Sequence, residues 1–250
     1  IDCLDAREQL HATPKLLNAY QLSKWMAEFH LIQHQRDLGL PLTLFRPSII
    51  IGHQETGWSS GAPFGMFSLI ELVLGARRLR AEHLQIEVRA EAQPDLVCVD
   101  TVVERAQGLL SAREHREPVE IFHCVADTRL PMVEALRPAS TQLGVSLGFG
   151  PLKSAVDVEL DRLFEGNKPF ANRTWTFRSE RLQRVLGSAY VPRPISPDIV
   201  RRSTNYYLTQ SLRLVALEQQ AGPLSALSAR LSPGPGLTGN APGSLAVSPP

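Results

Sequence analysis

Lysine is nearly missing from this chain. Lys15, Lys24, Lys153 and Lys168 are the only four in 250 residues, which leaves 22 of the 26 basic side chains as arginine. GC-rich coding accounts for such a bias, and a lysine on a motif position then owes little to chance. Cysteine is as sparse: Cys3, Cys98 and Cys124 are odd in number, widely spaced and without a C-x-x-C pair. That argues against a disulfide framework and a structural zinc site, and it fits a reducing cytoplasm. An excess of one charge is missing too. The formal net charge is +1 with no basic run, so neither nucleic acid nor a membrane surface is an expected partner. No apolar stretch approaches the ~20 residues a transmembrane helix needs. The first seven residues lack the basic-then-apolar order of a signal peptide. A soluble, cytoplasmic protein is expected.

What is present is ordinary globular material, 43% hydrophobic and 20% charged, long enough for a full core in one domain or one and a half. Residues 16–38 read as a helix. Leu17, Tyr20, Lys24, Ala27, Leu31 and Gln35 recur at spacings of three and four, with Leu16, Met26 and Phe29 widening the apolar face. Asn18 is the expected N-cap, Gln21 completes a capping box, and Gly39 closes the helix. Residues 41–51, PLTLFRPSIII, read as one buried strand stopped by Gly52. Residues 96–99 form a second apolar run that leads into a helix ending near Ser111. Residues 119–125 form a third strand, and 131–143 a helix with Met132, Leu136 and Leu143 on one side. Strands alternating with helices imply an α/β fold with a parallel sheet. From 151 to 207 the pattern weakens to short helices and loops. From residue 222 six prolines stand among Gly, Ser, Ala and Thr with almost no charge, so 222–250 is expected to be a disordered tail.

One helical pair carries chemistry. Tyr20 and Lys24 are four apart, which sets both side chains on one face, one turn from each other. An ammonium beside a phenol favours the phenolate and prepares it for proton transfer near neutral pH. Taken alone the pair is weak, because an interfacial tyrosine beside a solvated lysine has the same spacing.

The surrounding residues sharpen the reading. Asn18–Ala19–Tyr20 with Ser23–Lys24 resembles the N-x-Y-x-x-S-K signature of the extended short-chain dehydrogenase/reductase superfamily. Ala27–Glu28 resembles the alanine–acid pair that follows it. Arg46–Pro47–Ser48, closed by Gly52, resembles the R-P-[SG] turn, and the segment from Asp95 to Asp100 resembles D-x-[IV]-x-V-D. Within the superfamily, RPSIIIG followed by Thr56–Gly57–Trp58 is most similar to the thioester reductase and fatty acyl-CoA reductase branch. Epimerases and dehydratases more often continue the strand into V-Y-G-P, which is absent here.

The resemblance implies a Rossmann-like fold in which 1–150 is a partial NAD(P)-binding domain, 151–221 a small, mostly helical substrate lobe, and 222–250 the tail. It implies that Tyr20 donates a proton to a carbonyl oxygen while NAD(P)H delivers hydride, NADP being favoured over NAD. Lys24 would hold the nicotinamide ribose, and the backbone of Pro47, Ser48 and Ile49 would lie against the nicotinamide. The implied substrate is a small-molecule or carrier-bound acyl thioester, with a carrier protein as a further partner and no metal. A sugar-nucleotide epimerase or dehydratase, or a non-catalytic half-domain acting in interaction, are the alternatives.

Two family features are missing. The glycine-rich G-x-x-G-x-x-G turn occurs nowhere, and the serine or threonine that normally lies about two dozen residues before the tyrosine would fall before Ile1. The pattern is entered midway, so a C-terminal half is expected, with an open strand edge, poor solubility alone and weak dinucleotide binding. Of the seven histidines, His30 and His34 share a helix face without a third ligand and are read as solvated. His53 stands where a substrate loop would begin. Trp25 and Trp58 are read as packing and loop residues, and Trp175 with Phe177 as a short strand or a buried anchor. Cys98 and Cys124 are read as small core residues.

Overall fold

The computed structural model describes residues 19–112 and 117–212; the expected cap at Asn18, Cys3, and the tail from 222 lie outside them. Helix α1, Ala19–Leu38, stops where the sequence places the stop. Gly39 takes φ +64° and donates its N–H to Gln35 O at 2.8 Å, a left-handed conformation that glycine adopts without a Cβ penalty.

The run 41–51 is not one strand but two, β1 (Leu42–Pro47) and β2 (Ile49–Ile51), parted at Ser48. Pro47 has no N–H to give to a ladder, and the chain changes partners just after it. Ser48 N–H donates to Cys124 O at 2.9 Å, and Ile49 N–H donates to Asp95 O at 3.0 Å. Only Leu44 and Ile51 of the two strands are fully buried, so the expectation of a buried run is corrected.

After β2 come helix α2 (Met66–Arg78), strands β3 (His83–Ile86) and β4 (Leu96–Cys98), helix α3 (Val99–Ala112) and strand β5 (Val119–Cys124). Helix α4 (Met132–Leu143) and strand β6 (Ser146–Phe149) follow. Every described strand pair is parallel: β1 with β5, from Leu42 opposite Val119 to Pro47 opposite Cys124; β2 with β4; and β3 with β6. Helical crossovers between parallel strands make this the expected α/β architecture.

The main core gathers around α2, whose Met66, Phe67, Leu69, Ile70, Leu72, Val73, Leu74 and Ala76 are all buried. Ser68, Glu71, Gly75 and Arg78 form a narrow stripe at helical spacing on its other side. Met132, Leu136 and Leu143 of α4 bury one side together, as expected, and join the same core. So do Leu160 of helix α5 (Ala155–Arg162) and Ile199, Val200, Tyr207 and Leu208 of the last helix, which begins at residue 197. Helices α6 (Lys168–Ala171) and α7 (Glu180–Leu186) are short.

Residues 173–177 form no strand; Trp175 stacks on Phe177 at 6.3 Å and both stay half-buried, which corrects the strand reading. Cys98 and Cys124 are core residues, and burial pushes the Cys98 thiol up to about 12. Residues through Leu208 form one compact unit; of the second, Thr209–Pro250, residues 209–212 are described and helical. No helix among the described residues is long and apolar enough to cross a membrane.

Candidate active site

Tyr20 and Lys24 occupy the first described turns of α1. Lys24 Nζ lies 5.5 Å from the centre of the Tyr20 ring, and Ser23 Oγ donates to Tyr20 O at 2.8 Å. The tyrosine is 64% exposed, and Lys24 has no carboxylate partner among the described residues. Glu28 continues the stripe one turn on. Its Oε1 accepts from Arg46 Nε at 2.9 Å, and its Oε2 pairs with the other arm of the same guanidinium. Two motif fragments separated in sequence, Ala27–Glu28 and Arg46–Pro47–Ser48, are thus one bidentate ion pair. The pair joins the tyrosine–lysine helix to the strand that ends at Ser48. Ile32 packs beside it with Leu44 and Ile121.

His123 of β5 stands opposite Arg46 in the ladder and is buried. Burial, then the neighbouring Arg46 charge, hold its imidazole below the usual histidine range. At the break after β1 the Ser48 hydroxyl is buried and without a hydrogen-bond partner among the described residues. Ile49 closes against Gly65, whose added Cβ would meet Ile49 Cγ2 at 2.8 Å.

The later motif turns out to be stitching. Asp95 Oδ1 accepts Ala126 N–H at 2.8 Å, Asp95 Oδ2 accepts Arg129 Nη2 at 3.0 Å, and Asp100 Oδ1 accepts Gln54 N–H at 3.0 Å. Sequence reading passed over a second polar knot beyond the carboxyl end of β5. There Asp127 takes Arg105 Nη2 at 2.7 Å and Tyr190 Oη at 2.5 Å, with Arg105 lying over the Tyr190 ring at 4.6 Å. Nothing local in the sequence marks Arg105, whose burial at 4% exposure is decided by the fold.

An uncommitted ammonium at Lys24 and an unmatched buried hydroxyl at Ser48 suit the hydroxyl- and amide-rich nicotinamide end of a dinucleotide. The diphosphate end has no counterpart in this sequence, which holds no glycine-rich turn.

Residues 3–106 match the NAD-binding family model described as male sterility protein. With the motifs above, this matched part is similar to the extended short-chain dehydrogenase/reductases, in their thioester reductase branch. No curated protein matches it in sequence. Among solved structures it is similar to the terminal R domain from the myxalamid PKS-NRPS biosynthetic pathway, at TM-score 0.57 and 20% identity over 78% of this chain and 50% of that one. It is also similar to a thiolation-reductase di-domain from an archaeal non-ribosomal peptide synthetase, at TM-score 0.54 and 16% identity over 82% of this chain and 43% of that one. A UDP-galactose 4-epimerase follows at TM-score 0.51 and 12% identity, over 76% and 53%. These likenesses establish the fold, and the chain spans about half the length of the structures it matches.

Proposed function

We propose that the chain carries the proton-donor and nicotinamide-facing part of an NAD(P)H-dependent reductase that acts on acyl thioesters, free or carrier-bound. The observation that carries this reading is Lys24 beside Tyr20 on a helix stripe tied through Glu28 to the strand ending at Ser48. The nicotinamide, when bound, supplies the hydride. Tyr20 gives its phenolic proton to the substrate carbonyl oxygen, and Lys24 stabilises the phenolate left behind and holds the ribose hydroxyls. Pro47, Ser48 and Ile49 position the nicotinamide end, with the Ser48 hydroxyl available to its amide. NADP is preferred to NAD, and a carrier domain is the natural donor of a bound acyl group. Residues 151–221 supply the substrate side.

An epimerase or dehydratase shares the fold, and the UDP-galactose 4-epimerase likeness supports that second reading. The absence of V-Y-G-P after Ile51 favours the reductase. Tyr20→Phe tests the assignment. With NADPH and an acyl thioester, turnover should drop by roughly 100-fold or more, the size of a general acid's contribution. A rate unchanged by Tyr20→Phe would overturn the role, and no NADPH oxidation by the unaltered protein would favour a non-catalytic half-domain.

A further inference from the structure

Helix α2 closes on an arginine where α1 and α4 close on glycine. Ala81 N–H donates to Ala76 O at 2.9 Å and Arg80 N–H to Arg77 O at 3.1 Å, the two bonds of a Schellman end. Arg80 holds the left-handed position of that end at φ +58°, and among the described residues it alone has a positive φ without being glycine. The same position is Gly39 after α1 and Gly144 after α4, each at φ +64°. A Cβ is unfavourable in this conformation, so Arg80 is kept against the local backbone preference. GC-rich coding favours glycine as much as arginine and gives no reason for the choice. Arg77 and Arg78, in the last turn, already offset the negative end of the helix. A third cation is left unexplained.

The three arginines share one cavity. It measures about 470 Å³, within the range of small-ligand sites, and is lined by Arg77, Arg78, Arg80, Ala81, Glu82 and Gly144. All three arginines are exposed, and none has a hydrogen-bond or carboxylate partner for its side chain among the described residues. Glu82 is the only acid in the lining, so three positive charges stand against one negative. Like charges on neighbouring residues repel, and a shared anion offsets that repulsion. The backbone beneath them is fixed: Ser146 N–H donates to Glu82 O at 2.8 Å, and Ala76 is wholly buried. Glu82 and Gly144 lie just before β3 and β6, which sets the cavity at the amino ends of that strand pair. Ligands of α/β sheets ordinarily bind at the carboxyl ends instead.

We propose that Arg77, Arg78 and Arg80, facing Gly144, bind a small anion that carries two or more linked phosphates. Guanidinium forks pair with phosphate oxygens two at a time, and three forks exceed what a single phosphate requires. The proposal is independent of the reductase reading, because no residue of the Tyr20–Lys24 stripe enters it.

Pyrophosphate, ATP and orthophosphate, each titrated by calorimetry into the full chain at low salt, are the probes. Pyrophosphate and ATP should saturate, and orthophosphate should bind roughly tenfold more weakly or worse. Equal affinity for the first two assigns recognition to the linked phosphates alone, whereas tighter binding of ATP adds a nucleoside contact. Arg80→Gly should weaken pyrophosphate binding by roughly tenfold, the loss of one charge-assisted pair, while the unfolding midpoint stays or rises. An arginine kept for structure would give the opposite split. Gly144→Asp should weaken binding by a similar factor and Gly144→Asn should not. Both residues tolerate the left-handed backbone, and a Cβ on Gly144 meets nothing within 4 Å. Failure of pyrophosphate to saturate, unchanged affinity in Arg80→Gly, or equal affinity in Gly144→Asp and Gly144→Asn overturns the proposal. So does loss of binding in Lys24→Met, which would move the anion to the tyrosine-bearing helix. Capture of a polyglutamate peptide in place of pyrophosphate also overturns it, in favour of an acidic protein partner.

Discussion

Helices α1 and α2 flank the same strand line and are built on opposite plans. The 13 residues of α2 bury eight side chains, whereas the 20 described residues of α1 fully bury Ile32 alone. Helix α1 leaves Leu22, Met26, Leu31 and Leu38 exposed, and it is fastened by the small cluster of Ile32, Leu44 and Ile121 and by the Glu28–Arg46 pair. Of the apolar face that the spacing suggested, Met26 and Leu31 are exposed and Phe29 is half-buried, while Leu16 and Leu17 lie outside the described residues. In the described residues the helix bearing Tyr20 and Lys24 is held by few buried contacts, while α2 anchors the core.

The largest expected effect separates the two helices directly. Leu74→Ala opens a cavity beside α2 and should cost about 2–5 kcal/mol of global stability in denaturant unfolding. Ile32→Ala deletes buried atoms on a comparable scale, but its loss should show as faster amide hydrogen exchange in 19–38, with the α2 amides still protected. If Ile32→Ala lowered protection in both helices alike, the contrast drawn here would be lost.

Acid should distinguish the same regions in a second way. Burial and Arg46 hold the His123 imidazole below the usual histidine range. The folded limb therefore binds that proton less readily than the unfolded chain, and stability is lost as pH falls through the ordinary histidine range near 6.5. Asp157 behaves differently. Burial raises its carboxyl, but N–H groups of Gln85, Lys153 and Ser154 outweigh that and hold it below the usual carboxylate range. Its contribution is present above the ordinary carboxylate value near 4 and is lost only as pH falls below that. Exchange measured from pH 7.5 down to about 5 should loosen β1, β5 and α1 before the α2 core, and His123→Gln should abolish that first step. Simultaneous loosening of both regions would refute the order.

The smallest effect is expected from Glu28→Gln. The pair is partly buried, with side-chain exposures of 23% and 25%, so about 1 kcal/mol is expected. The loss should appear in α1 exchange and shrink in high salt, and a loss that ignores salt would assign the helix to packing alone.

Much of this was legible in the residues. The end of α1 at Gly39, the strand at 119–124, the helix over 132–143 and the core placement of Cys98 and Cys124 all follow from local spacing and turn chemistry. Helix α2 was legible at helical spacing through Ser68, Glu71, Gly75 and Arg78, although the sequence reading assigned it no element. Strands β3 and β6 were not, because strands of four residues are too short to show a period. Trp175 and Phe177 misled in the other direction, because β-favouring residues without a neighbouring ladder do not make a strand.

At the candidate site the division is the same. The sequence by itself determined that Tyr20, Lys24 and Glu28 share one helix stripe, because a period of 3.6 residues acts over a few positions and needs no partner. Only the tertiary structure decided that Glu28 meets Arg46, that the strand changes neighbours at Ser48, and that Gly52 is pinned by a serine 151 residues further on. Side chains and backbone groups so far apart in the chain find one another through the path the core imposes. Local propensity holds no record of that path.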